Sequence, residues 1–119
     1  MKFISIYKTA EKAFPPSQEE MCNMGKLIEE GMKSGFLLGV EGCMPSASGA
    51  RLRISNGTVA VTDGPFTESK EVIGGFAIMQ ANSKEEAMEY VKQFLNVVGG
   101  GECELRQLFK QGEPMPNVV

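Results

Sequence analysis

The sequence contains no histidine and no tryptophan, and it has only three cysteines among 119 residues. Histidine is the commonest general base near neutral pH and the commonest metal ligand in proteins. Its absence excludes a Ser–His–Asp or Cys–His catalytic group, and the remaining cysteines are too few for a zinc site. Any proton transfer would have to use a carboxylate, and we predict no metal and no other cofactor.

The cysteines, Cys22, Cys43 and Cys103, are odd in number and widely spaced, and they form no CxxC pair. A secreted disulfide framework would need an even and denser set. The apolar start of the chain is too short for a signal peptide, and no apolar run approaches the roughly 20 residues of a membrane span. The sequence therefore predicts free thiols, a cytoplasmic location and no membrane partner.

Charge of one sign is also scarce, because 15 acidic residues stand against 12 basic ones and give a net charge of −3. A nucleic-acid-binding domain usually carries a strong basic excess, so we predict no nucleic-acid partner. The length and the 42% hydrophobic content are typical of one globular domain over residues 1–119. The tail from Lys110, which contains Pro114 and Pro116, is predicted to be loose or exchanged between copies.

Two helices and six strands are indicated by local patterns. Each helix begins with a capping box, at Ser17 and at Ser83, and ends near glycines at Gly35 and Gly99. The pair Asn56-Gly57 is typical of a two-residue hairpin turn between strands, and this register places Ile54 opposite Val59 and Leu52 opposite Val61. The strands are predicted at residues 2–8, 36–40, 51–55, 58–62, 72–80 and 102–109.

The order of these elements predicts an α+β, ferredoxin-like βαββαβ fold with an extra β-hairpin. The strands at 2–8 and 72–80 are apolar on both faces, as central strands are. Two helices cover only one face of such a sheet. The other face of the sheet needs a second cover. The candidates for this face, in one register or the other, are Phe3, Tyr7, Phe76 and Ile78. Since twofold pairing is the commonest assembly, we predict a homodimer with facing sheets and a cavity between them.

The segment Val61–Phe76, VTDGPFTESKEVIGGF, resembles the DGPF-domain or YCII-related family of bacterial proteins. Other parts of the chain fit the same pattern, namely the strand ending at Tyr7, the residues Gly39–Gly42 with Pro45 after them, the hairpin Arg51–Thr62 and the ending Glu104–Arg106. The resemblance covers nearly the whole chain, and it implies a dimeric α+β barrel. Members of this family are often encoded near sigma factors of the extracytoplasmic-function type, and few have an assigned reaction.

Relatives in the wider YCII group carry a histidine–aspartate pair that is regarded as a possible active site, and only the aspartate, Asp63, has a counterpart here. If the strand runs on unbroken, Asp63 shares the apolar face of Val59 and Val61. A desolvated carboxylate there is a candidate catalytic proton carrier. The alternative is structural, with Asp63 accepting hydrogen bonds from the backbone amides around Gly64 and Phe66 in a turn.

Five further residues are candidates for ligand binding. Arg51 and Arg53 share one strand face and could clamp a carboxylate or phosphate, or they could be edge charges that prevent aggregation. Glu68 could stand at the mouth of a cavity or be solvated. The other two candidates are Phe66, as a hydrophobic plug or a stacking ring, and Tyr7, near a strand end.

Two functions remain open at this stage. The first is a dimer that binds a small molecule in a sheet-lined or intersubunit cavity near residues 63–66. Any reaction there would be cofactor-free and would use a carboxylate for proton transfer. The second is a non-catalytic regulatory or interaction module, whose partner could be a component of sigma-factor-dependent transcription.

Overall fold

The secondary structure follows the predicted order of strands and helices. The computed structural model describes residues 1–11, 15–110 and 112–114. Its elements are β1 (Lys2–Thr9), α1 (Gln18–Lys33), β2 (Leu37–Gly42), a short 3₁₀ turn (Ser46–Ser48), β3 (Ala50–Ser55), β4 (Thr58–Asp63), β5 (Val72–Gln80), α2 (Lys84–Val98) and β6 (Glu102–Gln107). The mixed α+β fold with two helices on an antiparallel sheet is therefore confirmed.

Four strands form the main sheet in the order β2-β5-β1-β6, and every neighbouring pair is antiparallel. The two central strands, β5 and β1, are the two whose sequences are apolar on both faces. The edge strand β6 carries Glu104 and Arg106 opposite Ile6 and Ile4 of β1. This arrangement confirms the predicted central and edge positions.

The serine half of each predicted capping box forms. Ser17 Oγ accepts a hydrogen bond from the backbone N–H of Glu20, and Ser83 Oγ accepts one from Glu86, each at 3.1 Å. These bonds satisfy amide groups that the first turn of a helix leaves without partners. At the other end of α2, Gly99 takes a left-handed conformation with φ of 76° and donates its N–H to the carbonyl of Leu95.

The core lies between the helices and one face of the sheet. Its buried centre contains Phe3, Met79, Ala81, Ala87 and Val91. Tyr7 lies on the same face as Phe3, and its ring meets that of Phe94 in α2 edge-on, with 5.1 Å between the centroids. Phe3 and Tyr7 are therefore wrong as candidates for the uncovered face. Period-2 alternation could not decide this point, because β1 carries apolar side chains on both faces.

The uncovered face of the sheet, called the open face below, is formed by the alternate residues of β1 and β5. Ile4 lies opposite Ile78, and Ile6 lies opposite Phe76. The Phe76 side chain is exposed, and the other three are half-buried. The open face is thus an apolar surface that no described element of this chain covers, and it includes the two remaining candidates, Phe76 and Ile78.

The strands β3 and β4 form a separate two-stranded hairpin. Its register pairs Leu52 with Val61 and Ile54 with Val59, as predicted from the Asn56-Gly57 turn. These four apolar side chains, called the apolar face of the hairpin, are 53–70% exposed. The hairpin therefore stands apart from the main sheet, and its hydrophobic surface is not part of the core described above.

The glycine pair in β5, Gly74 and Gly75, permits a bulge and a close approach between neighbouring strands. The register between β1 and β5 shifts after Tyr7, which pairs with Gly75, so that Lys8 pairs with Ile73 and Gly74 is the extra residue of a bulge. A Cβ on Gly75 would lie 2.7 Å from the carbonyl oxygen of Glu41 on β2, so the strands also approach closely there. Gln111 and residues 115–119 of the tail lie outside the described residues.

Candidate functional site

A cleft of about 750 Å³ opens where the loop after β2, the base of the hairpin and the start of β5 meet. We call it the motif cleft, since the segment that follows Asp63 forms one wall. Side chains on its lining that bear on chemistry are Lys8, Cys43, Ser46, Arg51, Phe66 and Glu71. Two of these, Lys8 and Arg51, are basic, and each forms an ion pair with a carboxylate outside the lining.

Ser46 is the group that holds the motif in place. Its side chain is almost fully buried, with 7% exposed, and its Oγ accepts a hydrogen bond of 3.1 Å from the backbone N–H of Phe66. Its own backbone N–H donates to Glu11 Oε1 at 2.6 Å. The Ser46 hydroxyl, and then its backbone N–H, lower the pKa of Glu11 against a smaller opposing effect of desolvation. Ser46 thereby joins three separate segments of the chain.

Gly64 allows the motif to pack directly on the 3₁₀ turn. A Cβ at this position would lie 1.6 Å from the carbonyl oxygen of Ser46, which is backbone and cannot rotate away. The Gly64 N–H also donates to the carbonyl of Gly49 at 2.9 Å, and the following peptide bond to Pro65 is cis. Only glycine fits this contact, which explains why the motif has glycine after the aspartate.

Arg51 is held in place on the wall of the motif cleft. Its guanidinium donates to Glu68 Oε1 at 2.7 Å and to Ser69 Oγ at 2.9 Å. The same guanidinium lies over the ring of Phe66, with 3.9 Å between Cζ and the ring centroid, in a cation–π arrangement. The structure thus brings together three of the predicted ligand-binding residues, Arg51, Phe66 and Glu68.

Arg53 and Tyr7 lie elsewhere. Arg53 is two residues further along β3 on the same face as Arg51, but it is exposed and does not line the motif cleft. Tyr7 faces the helices, and its hydroxyl donates to the carbonyl of Gly100 at 3.1 Å. The clamp of two arginines is therefore not formed within one protomer, and Tyr7 belongs to the covered side of the sheet.

Asp63 is exposed at the base of the hairpin, opposite Ala50. Alternation along β4 places it on the apolar face of the hairpin, as the sequence indicated. The backbone amides that it was expected to bind in a turn have other acceptors, since Gly64 donates to Gly49 and Phe66 donates to Ser46. Its predicted role as a proton carrier remains a prediction.

Sequence reasoning did not identify Ser46, Glu11 or Lys8. The segment 42–49 reads as a small-residue loop, and the only signal was Pro45 before Ser46, which is typical of the start of a turn.

Lys8 pairs with Glu104 at 3.1 Å, and Glu104 also accepts from Arg106 at 3.2 Å. Hydrogen bonds from these two side chains, Lys8 first, lower the pKa of Glu104.

The described part of the chain shows neither a metal-binding cluster nor a membrane-spanning helix. Among the described residues, no three cysteine, aspartate or glutamate side chains are placed so that they could hold a metal ion. In that same part of the chain, neither helix is long and apolar enough to cross a membrane.

Comparison with known proteins gives two matches. The profile of the YCII-related domain matches residues 1–109. An uncharacterised protein of Rhizobium meliloti (strain 1021) is 34% identical over 96 residues, which cover 78% of this chain and 77% of the relative. The profile match includes the motif cleft and the hairpin.

Proposed function

The chain belongs to the YCII-related family, and from this premise we propose that it is a homodimeric protein that binds a small anionic molecule in the motif cleft. The observation that carries the proposal is the position of Arg51, whose guanidinium is oriented over Phe66 on the wall of an open cleft. An arginine presents its donors in a planar fork that matches a carboxylate or a phosphate. Because the fork is already oriented, binding would cost little side-chain entropy.

Glu68 occupies the position that the anionic group of the ligand would take. Its side chain is 66% exposed, so it can leave Arg51 and become solvated. An exposed ion pair of this kind contributes only about 0–1 kcal/mol, and its loss is therefore a small cost to ligand binding. Lys8 also lines the cleft, but its ammonium is already paired with Glu104, so the proposal rests on Arg51. The lining therefore suits a small carboxylate or phosphate whose apolar part stacks on Phe66.

The dimer in this proposal forms through the open face and the apolar face of the hairpin. Both surfaces belong to one chain, and a twofold interface requires a surface that complements itself. Exposed apolar patches of this kind on a soluble domain mark interaction sites. A second copy that covers the hairpin would also cover Asp63, which lies on the same face as Val61. The carboxylate would then be desolvated and available as the proton carrier of a cofactor-free reaction.

The exposed hairpin also favours a second candidate function, a non-catalytic module that binds a different protein. In that case the apolar face of the hairpin would remain uncovered in the isolated protein, which would be monomeric. The link to sigma-factor-dependent transcription belongs to this candidate. For either function we propose a cytoplasmic protein, which agrees with three free thiols, Cys22, Cys43 and Cys103.

The test of ligand binding is a thermal shift measurement with phosphate, citrate and benzoate as probes. A ligand that binds only the folded state raises the melting temperature, and the rise increases with the logarithm of its concentration relative to its Kd. We expect at least one probe to raise it for the wild-type protein and for Arg53→Met, but not for Arg51→Met. The Arg53 variant is a matched control, because it removes the same group from the same strand face outside the cleft.

Two results would overturn the proposal. One is that no probe raises the melting temperature of the wild-type protein. The other is that the Arg51 and Arg53 variants respond alike, which would mean that the effect comes from general charge and not from the cleft.

A further inference from the structure

A second cavity, of about 210 Å³, lies inside the protomer between the sheet and the two helices. We call it the helix-side cavity. Its roof is formed by Met24 and Leu27 of α1 and by Tyr90 and Phe94 of α2. It is on the opposite side of the sheet from the open face, so a second copy that covers the open face would leave it unfilled. It also shares no lining residue with the motif cleft.

The floor of the helix-side cavity consists of small side chains that are neighbours in the sheet. Ser5 pairs with Ala77 across β1 and β5, and Ala77 pairs with Val40 across β5 and β2. The next pair on the same face of β5 and β2 is Gly75 and Gly42. The space is therefore a consequence of side-chain size at adjacent positions. Protein interiors are normally packed with few voids larger than a water molecule.

The two tyrosine hydroxyls around this cavity already have partners. The Tyr90 hydroxyl donates to the carbonyl of Leu27 at 3.1 Å, and the Tyr7 hydroxyl donates to that of Gly100. Within the described part of the chain, no buried side-chain nitrogen or oxygen lacks a hydrogen-bond partner. A water molecule needs two to four polar partners, and apolar cavities without them stay dry and bind molecules such as benzene.

From these observations we propose that the helix-side cavity is a binding site for one small uncharged apolar molecule, either a single aromatic ring or a branched hydrocarbon of similar size. An engineered apolar cavity of about 150 Å³ accepts benzene, so the volume here suits a ligand of that class and excludes a much larger one. No basic side chain lines the described cavity, and the carboxylate in its lining, Glu41, is exposed, so the cavity offers an ion no buried charged partner. Met24 is half-buried and unbranched, so its movement can admit the ligand between the helices.

The proposal is tested with toluene as the probe and heteronuclear NMR as the measurement. Toluene should shift the amide signals of residues around the cavity in the wild-type protein in a saturable way. Ala77→Ile places three more carbon atoms on the floor of the cavity, and a β-branched residue suits a strand. We expect this variant to bind toluene at least about tenfold more weakly, because the space is filled.

Ala60→Ile is the matched control, since Ala60 is an exposed strand position on the polar face of the hairpin. It should bind toluene as the wild-type protein does. Arg51→Met should also bind normally, which separates this proposal from the one for the motif cleft. If Ala77→Ile does not fold, Val40→Ile fills the same floor by one methylene and should weaken binding in the same direction. Failure of the wild-type protein to bind toluene, or equal binding by all folded variants, would overturn the proposal.

Discussion

Ser46 Oγ accepts a hydrogen bond from the backbone N–H of Phe66, twenty residues further along the chain, at 3.1 Å. This contact joins the loop after β2 to the segment that carries the Asp-Gly-Pro-Phe motif. Phe66 in turn supports the guanidinium of Arg51. The position of the proposed anion-binding group therefore depends on a buried serine that does not itself need to contact the ligand.

The first prediction concerns this hydrogen bond. Ser46→Ala leaves the Phe66 amide without its acceptor in a partly buried position, which should cost about 1–3 kcal/mol of the free energy of unfolding. Urea denaturation measures the change. Ser48→Ala is the control, because Ser48 is exposed in the same 3₁₀ turn. Equal stability of the two variants would show that the Ser46 contact has no structural role.

The second prediction concerns the close approach of Gly64 to the 3₁₀ turn. Gly64→Ala introduces a methyl group where the Ser46 carbonyl oxygen already lies, so the motif must move away. We expect a loss of about 3 kcal/mol, at the upper end of the usual cost of overpacking. In Gly39→Ala the added Cβ has no neighbour within 4 Å, so this variant should be far less affected. A Gly64→Ala protein as stable as the Gly39 variant would contradict the packing described.

The third prediction concerns pH. The pKa of Glu11 is lowered from its ordinary value of 4.5 by the Ser46 hydroxyl and N–H. A carboxylate with a lowered pKa stabilises the folded state above its ordinary pKa, and this contribution is lost as the pH falls through the lowered value. The melting temperatures of the wild-type protein and Glu11→Gln should therefore differ at neutral pH and converge in acid.

The control for Glu11 is Glu113→Gln, which removes an exposed carboxylate far from Glu11 in the sequence. Its melting temperature should follow that of the wild-type protein over the whole pH range. A difference between the wild-type protein and Glu11→Gln that stays constant down to about pH 3, well below the usual range of glutamate, would show that the charge of Glu11 is not the cause.

The fourth prediction concerns thiol reactivity. Cys22 and Cys43 are exposed, whereas Cys103 is half-buried. Burial, and then the charge of Glu102, raise the pKa of Cys103, while a hydrogen bond with Ser5 acts in the opposite direction. Because the thiolate is the reactive form, iodoacetamide should modify Cys22 and Cys43 before Cys103, as peptide mass spectrometry over time can show. Early modification of Cys103 in the folded protein would contradict its placement.

Much of the fold could be predicted from local sequence. The Asn56-Gly57 turn and the alternation of Leu52, Ile54, Val59 and Val61 are sufficient to define the hairpin and its register, because period-2 patterning leaves one consistent pairing. The central positions of β1 and β5 followed from apolar residues on both of their faces. For the same reason the direction of Phe3 and Tyr7 could not be predicted, since either face of β1 could have met the helices.

The site was less predictable than the fold. Its contacts join residues that are far apart in sequence, such as Ser46 with Glu11 and Arg51 with Glu68. Arg51 and Glu68 were each predicted as candidates, but no periodic pattern indicates that they form a pair. Ser46 carries no charge and lies in a loop of small residues, so only its tertiary contacts distinguish it from Ser48.

In the proposed dimer, the second copy packs on the hairpin and covers Asp63 and the open face. Sedimentation equilibrium measures this directly. We expect the wild-type protein and Ala60→Lys to sediment at twice the 12.9 kDa mass of the chain, and Ile54→Lys to sediment as a monomer. Ala60 and Ile54 lie on opposite faces of the same hairpin, so the comparison tests the apolar face alone. A monomeric wild-type protein, or an Ile54→Lys variant that remains dimeric, would contradict the account.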